Sequence, residues 1–155
     1  MTPATETLEK AGVNFSLLNY DAGKENGDYG RNAAHALQLP PQQVLKTLIV
    51  ESDTGKLLVA LVPVDRQLNM KKLARTAALK KVALAAAPRV SSATGYVIGG
   101  VSPIGQKLRL DTFISDTVRH LDVCYVSAGR RGWELALSPS DLLTVTRGKW
   151  ADLTT

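Results

Sequence analysis

A chain of 155 residues, 45% hydrophobic and 21% charged, has the length of one domain and the composition of an ordinary globular protein. No apolar run approaches the ~20 residues that cross a bilayer, the start Met1-Thr2-Pro3-Ala4-Thr5-Glu6 lacks a signal-peptide layout, and one cysteine, Cys124, cannot form an internal disulfide, so a cytoplasmic protein without a membrane role is expected. The net charge of +5 and pI near 9.5 suit a polyanionic partner, since neutralising phosphates releases condensed counterions; a small basic domain without such a partner fits equally.

Thr2-Pro3 predicts a capped helix over 4–11 with Ala4, Leu8 and Ala11 as its apolar stripe, stopped by Gly12. Residues 13–20 alternate as a strand, with Phe15, Leu17 and Asn19 on one face. A polar loop over 21–27 leads to Asp28 as the cap of a second helix, 29–37, with Ala33, Ala36 and Leu37 inward and Pro40-Pro41 closing the unit. Strands over 44–50 and 57–62 flank Asp53-Thr54-Gly55-Lys56, whose turn chemistry predicts a hairpin.

Asn69 caps a helix to about Ala77, and a shorter helix over 84–87 precedes Pro88. Residues 94–106 are glycine-rich and irregular, and 107–114 alternate, with Leu108, Leu110 and Thr112 opposite Arg109 and Asp111. Strands over 123–126 and 133–137 flank Arg130-Arg131, and Ser138-Pro139 opens a last helix. The sum is an α/β fold, a mixed and largely antiparallel sheet with surrounding short helices, in one domain over 1–155.

Several chemistries are absent from this pattern. His35 and His120 have no i, i+4 partner and a lone cysteine builds no zinc set, so no metal site or cofactor is expected. No Gly-x-Ser-x-Gly elbow exists, and Cys124 lies in an apolar strand as a small buried hydrophobe. Gly100-Val101-Ser102-Pro103-Ile104-Gly105 has the gap of a phosphate-binding loop, but Gln106 stands where the lysine belongs and a strand pattern follows.

Three features remain. Lys46 interrupts the apolar run Val44-Leu45-Lys46-Thr47-Leu48-Ile49-Val50, either as a functional cation or as a lysine whose stem covers apolar surface while its amine reaches water. The stretch Thr94 to Gly105 concentrates glycine, either to converge backbone amides on an oxyanion or to turn two corners. Lys71, Lys72, Arg75, Lys80 and Lys81, with Arg130-Arg131, form basic patches that suit a phosphate backbone or a solvated face.

Met1-Thr2-Pro3-Ala4 with Leu8-Glu9-Lys10, Lys46-Thr47-Leu48-Ile49-Val50, Thr94-Gly95-Tyr96, Gly99-Gly100-Val101-Ser102-Pro103-Ile104-Gly105-Gln106-Lys107 and Tyr125-Val126-Ser127 with Arg131-Gly132 together resemble the YbaK/EbsC family of aminoacyl-tRNA deacylases, related to the editing insertion of bacterial prolyl-tRNA synthetases. The resemblance implies deacylation of Cys-tRNA(Pro), with Lys46 as the essential lysine and Tyr20 as a pocket tyrosine. Tyr29 stands where relatives often carry Phe, and Glu134 where they commonly carry Asp.

It further implies that Thr47, Gly99, Gly100, Val101 and Ser102 bind substrate, with prolyl-tRNA synthetase as a possible partner; given a tRNA substrate, the basic residues Lys71, Lys72, Arg75, Arg130 and Arg131 are the ones expected to meet it. Similar enzymes use no protein nucleophile; the substrate's own thiol attacks its ester. Deacylation of an alanyl or seryl ester, or tRNA or synthetase binding without chemistry, stays open beside this reading.

Overall fold

The computed structural model describes residues 1–22 and 29–155, and in it side-chain caps start three helices. Thr2 Oγ1 accepts from Thr5 N at 3.2 Å, and Thr5 Oγ1 accepts from Thr2 N at 2.9 Å, opening α1 (Pro3–Lys10). Asn69 Oδ1 accepts from Lys72 N to open α3 (Met70–Thr76), and Ser138 Oγ accepts from Asp141 N to open α5 (Pro139–Thr146). Each such cap contributes about 1 kcal/mol. The remaining helices are α2 (Tyr29–Ala36) and α4 (Ala87–Thr94). The Asp28 cap and most of the 21–27 loop lie outside the described residues.

The strands are β1 (Ser16–Asn19), β2 (Leu45–Ser52), β3 (Leu57–Pro63), β4 (Val82–Leu84), β5 (Asp111–Ser115), β6 (Cys124–Ser127), β7 (Trp133–Leu137) and β8 (Lys149–Ala151). Among the described residues they form two sheets rather than one, in the orders β4-β2-β3-β5-β8 and β1-β7-β6. The expected hairpin is β2–β3, with Lys46 opposite Val62 and Thr47 opposite Leu61. Only the β3–β5 and β5–β8 pairs are parallel, so the fold is mixed and largely antiparallel.

Period-2 alternation gives β2 and β3 two buried faces. Leu45, Ile49, Val59 and Leu61 join Ile114, Leu8 and the three-stranded sheet's Val126, Leu135 and Leu137 in one core cluster. Val50, Leu58, Ala60 and Val62 pack instead with Leu73 of α3, Phe113 and Leu153 in a second. The sheets meet where β2 passes β6, marked by a bridge between Val44 and Tyr125. No helix among the described residues is long and apolar enough to cross a membrane.

Several expectations are corrected. Val82–Leu84 is an edge strand on Val50–Ser52, and Pro88 sits in the first turn of α4 instead of ending a helix over 84–87, because proline suits the turn whose N–H groups have no partner. The strand over 107–114 begins only at Asp111, because the amides of Lys107 and Leu108 donate to Thr94 O and Ala93 O, closing the end of α4 and leaving Leu108 exposed. Strand β8 was not expected.

On α2 the inward residues are Ala33 and Ala34, since Ala34 meets Val44 and Val64; Ala36 is exposed. Ala11 is exposed where α1 ends, and β1 is a four-residue edge paired only with β7, so Leu17 and Asn19 face solvent while Phe15 packs on the core.

Candidate active site

The register of β2 determines which side of the strand is open. Ser52 N donates to Lys56 O and Val64 N to Val44 O, both at 2.8 Å, so even-numbered residues of β2 bond to β3 and odd-numbered residues turn their main chain the other way. On that outer edge Ile49 O is taken by Ala85 N at 2.9 Å, and β4 pairs only with Val50–Ser52. Thr47 is left between this pairing and the Val44–Tyr125 bridge.

A cavity of about 250 Å³ occupies the gap, lined among others by Tyr20, Tyr29, Lys46, Thr47, Gly99 and Glu134. Because it wraps the strand edge, Lys46 reaches it from one face of β2 and Thr47 from the other.

Three of the polar groups lining the cavity have no partner among the described residues. Among the described residues the half-buried Lys46 makes no ion pair or hydrogen bond. Thr47 Oγ1 and Glu134 Oε2 are buried without a hydrogen bond. Buried polar groups are rarely left so, and these two share one cavity with the Lys46 amine. Glu134 lies on β7 opposite Ser127 of β6 and Leu18 of β1. It is 5% exposed, and burial pushes its carboxyl up to about 8. The group is therefore a neutral acid, able to donate, at pH 7.

Tyr20 follows β1, its amide donating to Gly132 O at 2.8 Å. Burial, then the adjacent Glu134, holds its phenol above the usual range, opposed by the Gly132 backbone acting on the phenol oxygen and by Arg131. Tyr29 opens α2 beneath the Arg131 guanidinium, whose carbon stands 4.8 Å from the ring centroid. Gly99, at φ +91, is required at this contact, since a Cβ there would lie 3.0 Å from Tyr29 Cζ and 3.2 Å from Arg131 Cδ. A Cβ on Gly100 would likewise crowd the Arg130–Arg131 main chain, at 3.1 Å from Arg131 N.

The glycine segment is thus mostly architectural. Gly99 and Val101 line the cavity, whereas Gly100 and Ser102 do not. The Gly100 amide donates to Val97 O at 2.9 Å. Ser102 is fully buried, its Oγ accepting from Ile104 N and its carbonyl from Gln106 Nε2. These two residues hold the loop in shape, because their polar groups are used inside it.

The basic residues divide. Arg131 packs on the cavity wall and Arg130 is exposed beside it, 4.6 Å over the Trp133 ring. Lys71, Lys72 and Arg75 ride on α3 and do not line the cavity. Lys72 Nζ is tied to Asp152 at 3.1 Å and to Thr154 O at 2.8 Å, securing the end of the chain.

Gly30, Ser127 and Ile98 also line the cavity. Ser127 belongs to the Tyr125-Val126-Ser127 motif and Ile98 to the glycine-rich stretch 94–105, whereas no local signal marks Gly30. Cys124 is fully buried, with its thiol pushed up to about 12 by burial, which removes it as a nucleophile. The cavity brings together a lysine amine, a buried carboxyl, a hydroxyl and aromatic walls.

Residues 25–145 match the family model described as the aminoacyl-tRNA editing domain. The chain is 33% identical over 154 residues to an Enterococcus faecalis protein named as a Cys-tRNA(Pro)/Cys-tRNA(Cys) deacylase, EbsC, covering 99% of this chain and 93% of that one. A 69-residue stretch, 44% of the chain, is 42% identical to 12% of the proline–tRNA ligase of Moorella thermoacetica. The crystal structure of hypothetical protein APE2540 superposes with a TM-score of 0.87 at 27% identity, over 99% of this chain and 100% of that one. One described as a trans-editing enzyme for prolyl-tRNA synthetase superposes at 0.84 and 23% identity, over 100% and 99%.

Proposed function

The chain belongs to the aminoacyl-tRNA editing domain family, and on that premise we propose that it is a free-standing deacylase, one domain over residues 1–155, that clears cysteine from mischarged tRNA(Pro). The observation that carries the reading is the unpaired Lys46 ammonium in a cavity with two further unsatisfied polar groups, Thr47 Oγ1 and Glu134 Oε2. An aminoacyl ester offers a carbonyl, an amine and ribose hydroxyls to such groups. At about 250 Å³ the cavity matches a small amino acid.

In this account Lys46 lies beside the ester and offsets the negative charge that develops on its carbonyl oxygen, a role worth several kcal/mol in a site poor in water. Tyr20, Tyr29 and Gly99 close the wall around the side chain. The thiol of the bound cysteine attacks its own carbonyl carbon. A C–S bond forms, the C–O bond to ribose breaks, and the thiol proton goes to the departing ribose oxygen. The tRNA leaves with a free hydroxyl, and water later opens the cyclic thioester. The reading needs no protein nucleophile, in keeping with the buried Cys124.

Arg130 and Arg131, beside the cavity, are the cations proposed to meet the acceptor end; Lys71, Lys72 and Arg75 would touch only more distant phosphates. Prolyl-tRNA synthetase, which produces the mischarged substrate, is the proposed partner, and the cytoplasm, where aminoacyl-tRNA is made, the proposed location.

A panel of tRNAs esterified with cysteine, S-methylcysteine, alanine and serine tests the reading by release of free amino acid. Cysteine alone is expected to leave quickly. Equal loss of S-methylcysteine, alanine or serine would replace the thiol route with a water-dependent one. No release from any ester would leave a binding module.

A further inference from the structure

The cavity around Lys46, at about 250 Å³, lies below the roughly 300–1,000 Å³ that enclose a drug-sized ligand. It takes an aminoacyl group, and the strand that carries the group must continue outside. A groove of about 540 Å³ begins across a single ridge. Gly30 lines the cavity and Val64 lines the groove, and they are in contact: a Cβ at residue 30 would run into Val64 Cγ1 and stand 3.7 Å from Lys46 Cβ. Helix α2 presents its first turn to the cavity, and its last turn, with Gln38 just beyond, to the groove. From Tyr29 to His35 the helix rises about 9 Å, within reach of the first nucleotides leaving the cavity.

The groove is lined by the apolar Ala34, Leu39 and Val64 and by the exposed Arg31, His35, Gln38 and Asp65. Among the described residues the His35 and Gln38 side chains make no hydrogen bond. An apolar lining accepts the face of a base, a sequence-tolerant contact. An amide and a carboxylate meet base edges, and an imidazole meets a phosphate or stacks.

We propose that this groove holds the single-stranded nucleotides immediately before the esterified one. The proposal rests on the deacylase reading for the identity of the strand. Gly30, packed directly against Val64, brings the cavity and the groove to opposite sides of the same stretch of α2.

The test compares kcat/KM for a cysteinyl ester of adenosine with that of a short oligoribonucleotide ending in the same ester. His35→Ala and Gln38→Gly are the variants; residue 38 is left-handed, φ 54, so glycine keeps the helix end. The ratio of oligonucleotide to nucleoside kcat/KM is expected to fall about fivefold, the size of one lost hydrogen bond or stacking contact; an unchanged ratio in both variants overturns the proposal. Independently, the His35 imidazole resonances are expected to shift with an uncharged oligonucleotide of the same sequence. Resonances unmoved at saturation overturn the proposal. A shift without hydrolysis of any ester keeps the groove and removes the deacylase reading.

Discussion

Lys46 and Glu134 line one cavity from different sheets, and no ion pair joins them. A close Lys46 ammonium would hold the Glu134 carboxyl down; burial dominates instead and raises it to about 8. The Lys46 amine is therefore not spent on the Glu134 carboxyl, which burial holds above its ordinary range.

Glu134 should make stability depend on pH. Its carboxyl is raised in the folded protein from an ordinary 4.5 to about 8, so between those values the unfolded chain has released a proton that the folded chain retains. Stability from this group is fully present below pH 4.5 and falls by up to about 1.4 kcal/mol per pH unit until about pH 8. Thermal melts of wild type and Glu134→Gln from pH 5 to 8.5 should diverge, the variant holding its Tm better as pH rises. Parallel curves would place the carboxyl near its ordinary value.

Thr47→Val should separate stability from activity. The hydroxyl is buried without a partner, so exchanging it for a methyl should stabilise by about 1 kcal/mol, read as a higher denaturation midpoint, while deacylation falls. A variant both less stable and fully active would remove Thr47 from the substrate site.

Gly99→Ala should damage both. Its φ of +91 and the Tyr29 ring at 3.0 Å from a Cβ predict a loss of about 1–3 kcal/mol. A displaced Tyr29 should show as a raised KM. An unchanged melt and unchanged kinetics would contradict the packing described.

Arg131→Ala should cost far more deacylation than Lys71→Ala or Arg75→Ala, because only Arg131 packs on the cavity wall. Lys72→Met should act mainly on stability, by about 0.2–1 kcal/mol for a partly exposed pair, through its tie to Asp152. Steady-state kinetics and melts of the four variants distinguish the two faces; equal kinetic losses would make α3 part of the tRNA path.

Local signals carried most of the sequence reading. Thr2, Asn69 and Ser138 sit beside the amides they cap, and the β2–β3 turn is four residues long, so each was legible in a short window. The cavity's principal residues, Lys46, Tyr20, Tyr29, Thr47, Gly99, Val101 and Glu134, were legible through the family pattern.

What was not legible depends on distant partners. Leu108 alternates as a strand residue, but its amide closes α4. Ser102 and Gly100 carry the motif, yet spend their polar groups within the loop. Gly30 reveals its role only where α2 meets Val64. The burial that keeps Glu134 protonated arises where β7 faces the cavity beside the other sheet.

The most direct test of the account is the single-turnover rate of cysteine release from Cys-tRNA(Pro) by Lys46→Ala, with the melt as a check on folding. The account predicts a loss of about 10²–10³-fold, the size of one missing charge-stabilising donor, in a protein whose Tm is nearly unchanged. A folded Lys46→Ala protein that releases cysteine at close to the wild-type rate would contradict it.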